Sequence, residues 1–454
     1  MGVIDVLASI ADRFPTVTKP AQKPTLYQRL AWTGIILVAY LIMANIPLYG
    51  IPEQEQQTQL SLQRIVFASS AGTLMELGIG PIVTAGLILQ VLVGAKILKM
   101  DLTNPDDRRR FTAAQKSLAV LFAVFEATMY VLGNRYWAGT GITPTTFERV
   151  IVIAQLSFAA FLVILMDEML QKGWGIGSAV SLFILAGVAQ SVMWGLLGFA
   201  PGIATYGLIP AIIQDRSMLL LARPNGFPDI TGLFATLAII FLLVYFQAMR
   251  VEIPVTSQRL RGIRTRVPLQ FMYVTNIPIL LVGILVSDLQ LLQGIIADFA
   301  GVESRIYQWY SSLVYYVSPP RGIVSAVQDP LRTLTYAISW TIMAIVFGYL
   351  WVEIAGLNPK DQAERLVKSG MEVPGMRRNP KILEGILRRY IYPLTLLSSL
   401  IVAAVTIVAD IFGAYGTGTG ILLAVGIINQ YYTMISYERA LETYPLLRRL
   451  LGEG

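Results

Sequence analysis

Apolar runs of about 17 to 25 residues recur along this chain, separated by shorter polar or basic segments. They begin near Leu30, Ile79, Ala113, Val150, Ile176, Ile230, Leu269, Leu334, Tyr390 and Thr417 and predict ten spanning helices. The last is the weakest, because Gly418 and Gly420 lie in its first turn. The run from Leu60 to Leu98 is interrupted by Gly78, Gly80 and Pro81. Proline removes a backbone donor and clashes with the preceding turn, and lipid offers no water to satisfy the freed groups, so such a break belongs inside protein or beside an aqueous cavity. Ser61 to Ala71 is too short and polar to cross a hydrocarbon core of roughly 30 Å, whereas Ile79 to Leu98 is about long enough. A half-inserted plug followed by a full span is the reading this favours; one kinked helix is the alternative. Ahead of the first run, Val3, Leu7, Ile10 and Phe14 fall at helical spacing and predict an amphipathic helix at the membrane interface.

Composition fixes the class. Of 454 residues, 55% are hydrophobic and only 14% charged, with mean hydropathy +0.61; soluble domains carry about 25% charged residues. The chain reads as an integral membrane protein. It contains neither cysteine nor histidine, which removes disulfides, thiolate nucleophiles, and the commonest general base and metal ligand. No catalytic residue, metal or cofactor is expected. The N-terminus lacks the basic and apolar regions of a cleavable signal peptide, and Val6 denies Gly2 a myristoylation motif.

With a cytoplasmic N-terminus, ten spans put both termini inside, and every lysine then falls on the cytoplasmic side. Arginine agrees in the loops 98–112, 250–267 and 356–389, while Arg135, Arg216, Arg223, Arg305 and Arg321 fall outside. Five spans per half force opposite orientations on the halves, which permits an inverted repeat, although no residue-level similarity between them is visible. The expected division is an N-terminal half, 1–228, that ends in a Gly- and Pro-rich hinge loop, a C-terminal half, 229–436, and a cytoplasmic tail, 437–454.

Charge inside the spans is scarce. Glu126 reads as the one acid well inside a span, and as a packing or subunit contact or an ion site, whereas Asp167, Glu168, Asp288, Glu353 and Asp410 fall near span ends. Aliphatic residues flanked by small ones stand near span midpoints instead: Ile79 and Val83, Val180 and Ile184, Leu280, Leu423. Taken alone they fit lipid contact or core packing. The first two pairs share a helix face through their i, i+4 spacing.

The segment GTLMELGIGPIVTAGLILQ (72–90) resembles the SecY family, the large subunit of the protein-conducting channel, in its archaeal form. AAQKSLA (113–119), GWGIGSAVSLFILAGVAQS (173–191), VEIPVTSQRLRGIRTRVPLQFMYVTNIPILL (251–281), VPGMR (373–377) and GTGTGILLAV (416–425) extend the resemblance over most of the chain in the expected order. It implies an all-α membrane fold of ten helices, in two inverted halves of five around an hourglass pore. It also implies a ring of Ile79, Val83, Val180, Ile184, Leu280 and Leu423, and an external plug containing Ser61, Leu62, Ile65, Val66, Ala68, Ser69 and Ala71. A lateral gate between spans two and three and spans seven and eight is implied with polar positions Gln115 and Asn276. Ribosome docking is implied for Arg259, Arg264, Arg266 and Arg377; without the family, these arginines read equally as topology signals. The partners implied are a SecE (gamma) subunit and a small beta subunit in a heterotrimer, the ribosome, signal peptides and nascent chains, and membrane lipids. The location implied is the cell membrane.

A narrow aliphatic collar cannot replace an ion's hydration shell, yet its non-directional contacts yield around a polypeptide. The expectation is therefore a passive channel for secretory polypeptides that releases membrane-protein segments sideways into lipid. An inverted-repeat secondary transporter is the alternative, disfavoured by the shortage of buried acids, and a membrane-embedded enzyme is a third, disfavoured by the missing His and Cys. The pI near 9.4 favours anionic partners or lipids.

Overall fold

The computed structural model describes residues 3–11, 13–52, 68, 70, 72–94, 97–98, 100, 104–133, 136–137, 143–198, 206–214, 221–223, 227–257, 263–274, 277–320, 322–368, 371–372 and 380–443. Among these the chain forms fifteen helices and three short strands. In order they are α1 (Val3–Ala11), α2 (Leu26–Met43), α3 (Gly80–Gly94), α4 (Pro105–Leu132), α5 (Thr146–Gln171), α6 (Ala179–Leu197), α7 (Leu208–Gln214) and α8 (Ile230–Ala248). There follow β1 (Arg250–Ser257), β2 (Ile263–Gln270), α9 (Ile277–Ala300), α10 (Arg305–Val317), α11 (Gly322–Gln328), α12 (Pro330–Ile354), α13 (Pro359–Lys368), β3 (Met371–Glu372), α14 (Pro380–Ile411) and α15 (Gly418–Thr443).

Eight helices, α2, α4, α5, α6, α8, α9, α12 and α14, are long and apolar enough to cross a membrane. The other two expected spans are α3, of 15 residues, and α15, of 26 residues. Helix starts follow their caps. Thr25 and Thr145 open α2 and α5 through capping boxes with Gln28 and Glu148, and Asn104 and Asp329 precede helices with proline in the first turn.

Several expectations shift. The seventh span begins at Ile277, not near Leu269, because Leu269 belongs to β2 and Pro278 favours a first-turn position. Asp288 consequently sits at the middle of α9 and not near a span end. The ninth span starts ten residues earlier than the apolar run near Tyr390, at Pro380. The basic loop 250–267 is an antiparallel hairpin with Arg250 opposite Gln270 and Ser257 opposite Ile263, its alternating Val251, Ile253 and Val255 giving the strand period. β3 joins β1 at Thr256 and Ser257, which brings the 356–389 loop into the same sheet, of order β2-β1-β3. Helix α15 continues to Thr443, so the first part of the expected tail is helical. The amphipathic α1 docks on protein: the Ser117 hydroxyl of α4 donates to Leu7 O at 2.7 Å, and Ile4 and Leu7 pack on Leu89, Phe111 and Ala114.

The helices differ in how much of their surface protein covers. α14 is central, its most apolar stretch 61% buried against 22% for α2 and α8. At Gly348 of α12, an added Cβ would clash with Ser399 Oγ of α14, the close approach that small residues permit between membrane helices. Outward faces are apolar: Phe234 and Phe241 on α8, and Leu331, Leu334, Ile338, Ile342 and Val346 in one stripe along α12, are all exposed. Such surfaces suit hydrocarbon and not water.

Candidate functional site

The interrupted run resolves into a turn and a helix start. Gly78 has φ +54°, a conformation open to glycine, and α3 begins at Gly80, so Pro81 stands in the first turn where its missing N–H costs nothing. The turn is tied to the end of α2: Leu48 N donates to Gly72 O at 2.9 Å and Leu74 N to Ile46 O at 3.1 Å. Glu76 closes it from within by accepting from Gly72 N. Ile79 is fully buried at the entrance of α3, and its carbonyl accepts from Ile82 and Val83.

The six aliphatic positions do not lie at helix midpoints. Ile79 and Val83 flank the start of α3, Val180 and Ile184 occupy the first two turns of α6, Leu280 the first turn of α9 and Leu423 the second turn of α15. All six belong to one continuous apolar cluster, with Ile79, Ile184 and Leu423 at 0%, 3% and 2% exposure and the other three half-buried against it. The starts of four helices from both ends of the chain thus contribute to the same apolar core.

Of the expected plug, Ala68 is described, and it is buried; Ser61, Leu62, Ile65, Val66, Ser69 and Ala71 lie outside the described residues. Tyr40 of α2, which sequence reasoning missed, donates its hydroxyl to Ala68 O at 3.2 Å and stacks on Phe183 at 4.5 Å between centroids. A Cβ added at Gly187 of α6 would lie 3.9 Å from the Ala68 side chain. The end of the plug segment thus rests against α6 one turn beyond Ile184.

With this geometry in place, the comparisons with known proteins converge. Residues 73–432 match the SecY family, and residues 38–72 match the plug domain of Sec61p. The chain belongs to the SecY family. Protein translocase subunit SecY of Aeropyrum pernix is 69% identical over 100% of this chain and 99% of its own length; its counterpart in Saccharolobus solfataricus is 47% identical with full coverage of both. A solved structure described as a protein-conducting channel superposes with TM-score 0.79 at 35% identity, covering 97% of this chain and 98% of that one. Sec61 of the canine ribosome-channel complex from the endoplasmic reticulum gives TM-score 0.76 at 33% identity with the same coverage. These relatives are named as translocase subunits and channels, not as enzymes.

Within this SecY-family fold, two further acids fix the starts of α6 and α15. Asp167, at the end of α5, is buried and accepts from Ser178 Oγ at 2.7 Å and from Val180 N at 3.3 Å, capping α6 in place of Ser178. Asp410, at the end of α14, is buried and accepts from Gly418 N at 2.7 Å and the Tyr336 hydroxyl at 2.5 Å, capping α15. In each half of the chain, the fourth of its five expected spans ends in an aspartate that caps the fifth. The acids had been legible only as residues near span ends.

Other candidate positions fall as follows. Gln115 of α4 packs against Gly86 of neighbouring α3, where an added Cβ would meet its Nε2 at 2.8 Å; Asn276 lies outside the described residues. Across the seam between halves, α3 meets α12 where Gly94 faces Ile354, a built Cβ lying 3.2 Å from that of Ile354. Glu126 of α4 has Asp288 of α9 as a charged neighbour, so two acids, not one, lie well inside spanning helices. Arg264 and Arg266 stand in β2 opposite Thr256 and Pro254; Arg259 and Arg377 lie outside the described residues. At the junction of the expected halves, Asp229 caps α8 through Gly232 N at 2.7 Å, and its backbone carbonyl accepts from the Tyr415 hydroxyl at 2.7 Å. Burial raises the Asp229 carboxyl above the ordinary carboxylate range, against the opposing pull of its donors.

Proposed function

We propose that this chain is the pore-forming subunit of a protein translocase, a passive conduit for unfolded polypeptides sealed by Ile79, Val83, Val180, Ile184, Leu280 and Leu423. The observation that supports the reading is that these six side chains, near the starts of four helices, all belong to one continuous apolar core, with Ala68 of the plug segment beside α6 one turn beyond Ile184. An aliphatic constriction excludes hydrated ions because it offers no ligand to replace their water, and it deforms around a chain because its contacts have no preferred direction.

The remaining parts follow the family pattern. The seam between α3 and α4 on one side and α9 and α12 on the other serves as the lateral gate through which apolar segments reach lipid. Residues 1–228 and 229–436 act as the two inverted halves, hinged near Asp229. Arg259, Arg264, Arg266 and Arg377 dock the ribosome on the sheet-bearing face, which is cytoplasmic together with both termini. The protein resides in the cell membrane with a SecE (gamma) subunit and a small beta subunit.

Single-channel conductance of the reconstituted complex tests the collar. Ile184→Asn or Val83→Asn should raise resting ion leak, because an amide in the constriction supports water; unchanged leak in both variants would remove these residues from the seal.

A further inference from the structure

The exposed side of α10 divides by chemistry. At about 100° per residue, Ile306, Trp309, Leu313 and Tyr316 fall within roughly 80° of arc, and all four are exposed. Arg305, Gln308, Ser312 and Tyr315 occupy the adjoining exposed arc. The remaining side is fixed to the protein: the Tyr310 hydroxyl donates to Leu289 O of α9 at 3.1 Å, and Gln293 Nε2 of α9 donates to Ser311 Oγ at 3.0 Å.

Depth can be read from α12. Thr335 Oγ1 donates to Tyr316 O at 3.3 Å, and Trp340 Nε1 donates to Val317 O at 2.8 Å. At 1.5 Å per residue these partners lie about 7 to 15 Å below the start of α12 at Pro330. The C-terminal end of α10 therefore sits at the level of the second and third turns of a spanning helix. Leu331, Leu334 and Ile338 of α12 are exposed near that level, and Leu292 and Phe299, on the stretch of α9 that runs back toward the start of α10, are exposed as well. The apolar arc of α10 thus stands beside helices whose own exposed side chains are apolar, while its polar arc adjoins Asp329, whose Oδ2 accepts from the Tyr315 hydroxyl at 2.9 Å.

We infer that α10 is a lipid anchor, its Ile306, Trp309, Leu313 and Tyr316 immersed in the leaflet opposite the β-sheet, and that it fixes the far ends of α9 and α12 to that leaflet as one unit. The partner is the acyl and glycerol region of the bilayer. Aromatic side chains with an apolar body and a polar tip suit that depth, and an amphipathic helix with one wet flank is the form that occupies it.

The absence of native cysteine permits a clean test on the complete channel complex in vesicles of phosphatidylcholine and phosphatidylglycerol. Nitroxides attached at Ile306→Cys, Trp309→Cys and Leu313→Cys, and separately at Gln308→Cys and Ser312→Cys, are relaxed with oxygen, which concentrates in lipid, and with a water-soluble nickel chelate. The first set should respond several-fold more to oxygen than to nickel, and the second set the reverse. Equal nickel access on both flanks would place the helix in water and overturn the inference. Protection of the first set from both reagents would mean that a protein covers it, and would overturn it equally. Three labelled sites on the apolar flank keep the outcome readable if one substitution fails to fold.

Discussion

At the scale of single residues, the proposed constriction depends on side chains that do not line it. The Tyr40 hydroxyl holds Ala68 O, and a hydrogen bond between membrane helices is worth about 0.6 to 2 kcal/mol. Tyr40→Phe keeps the stack on Phe183 but loses this bond, so the population with the plug displaced should rise about five-fold for a 1 kcal/mol loss, read as more frequent resting openings in bilayer recordings. Asp167 and Asp410 satisfy amide groups at the starts of α6 and α15 that have no partner within their own helices. Loss of such a cap costs about 1 kcal/mol. Asp167→Ala and Asp410→Ala should each lower the unfolding temperature and raise leak, whereas Asp167→Asn, which keeps an acceptor oxygen for Val180 N, should fall between wild type and alanine in both measurements.

At the scale of elements, the sheet changes how the basic loops are understood. Pairing of Thr256 with Glu372 and Ser257 with Met371 sets β3 beside the hairpin strands that include Arg264, so two segments more than a hundred residues apart contribute to one sheet surface. Pro254 is tolerated in the central strand because β3 pairs only at its end, and Pro268 lies in β2 at the sheet edge. If this surface docks ribosomal RNA, Arg264→Glu with Arg377→Glu should weaken cosedimentation with ribosomes more than loss of Lys360 and Lys368 does, because attraction to phosphate becomes repulsion at the contact. Binding by the unaltered channel should fall steeply with salt, the screening length being about 8 Å at physiological ionic strength. Equal affinity of wild type and double variant at low salt would leave the arginines as topology signals.

At the scale of the molecule, the two halves meet along seams of unequal character. On one side, Arg29 pairs with Glu438 at 2.6 Å, and the Tyr431 hydroxyl donates to Ser178 O at 3.0 Å, fastening α15 to α2 and to the α5–α6 turn. On the other, α3 and α12 meet at Gly94 and Ile354. Cβ separation there is close to the roughly 3.5 to 4.5 Å that a disulfide spans. Oxidised Gly94→Cys with Ile354→Cys should form a crosslink and block sideways release of apolar segments without raising resting leak. Reduction should restore release; normal release with the crosslink formed would place the exit elsewhere.

Much of this architecture was legible in the chain because membranes impose a severe local rule: a segment must be apolar for about twenty residues and satisfy its own backbone. That rule exposed the spans, the Gly-Pro break before α3 and the basic loops, and the spacing around Gly78 and Pro81 carried the family resemblance. Helix starts were displaced where proline, not hydropathy, sets the boundary, as at Pro278 and Pro380, and this moved Asp288 to mid-helix. The sheet escaped notice because its pairing is non-local, joining Ser257 to Met371. The caps by Asp167 and Asp410 and the latch by Tyr40 were hidden for the same reason. A carboxylate or phenol announces its cost from sequence, but only the folded chain decides which amide or carbonyl from another element relieves it.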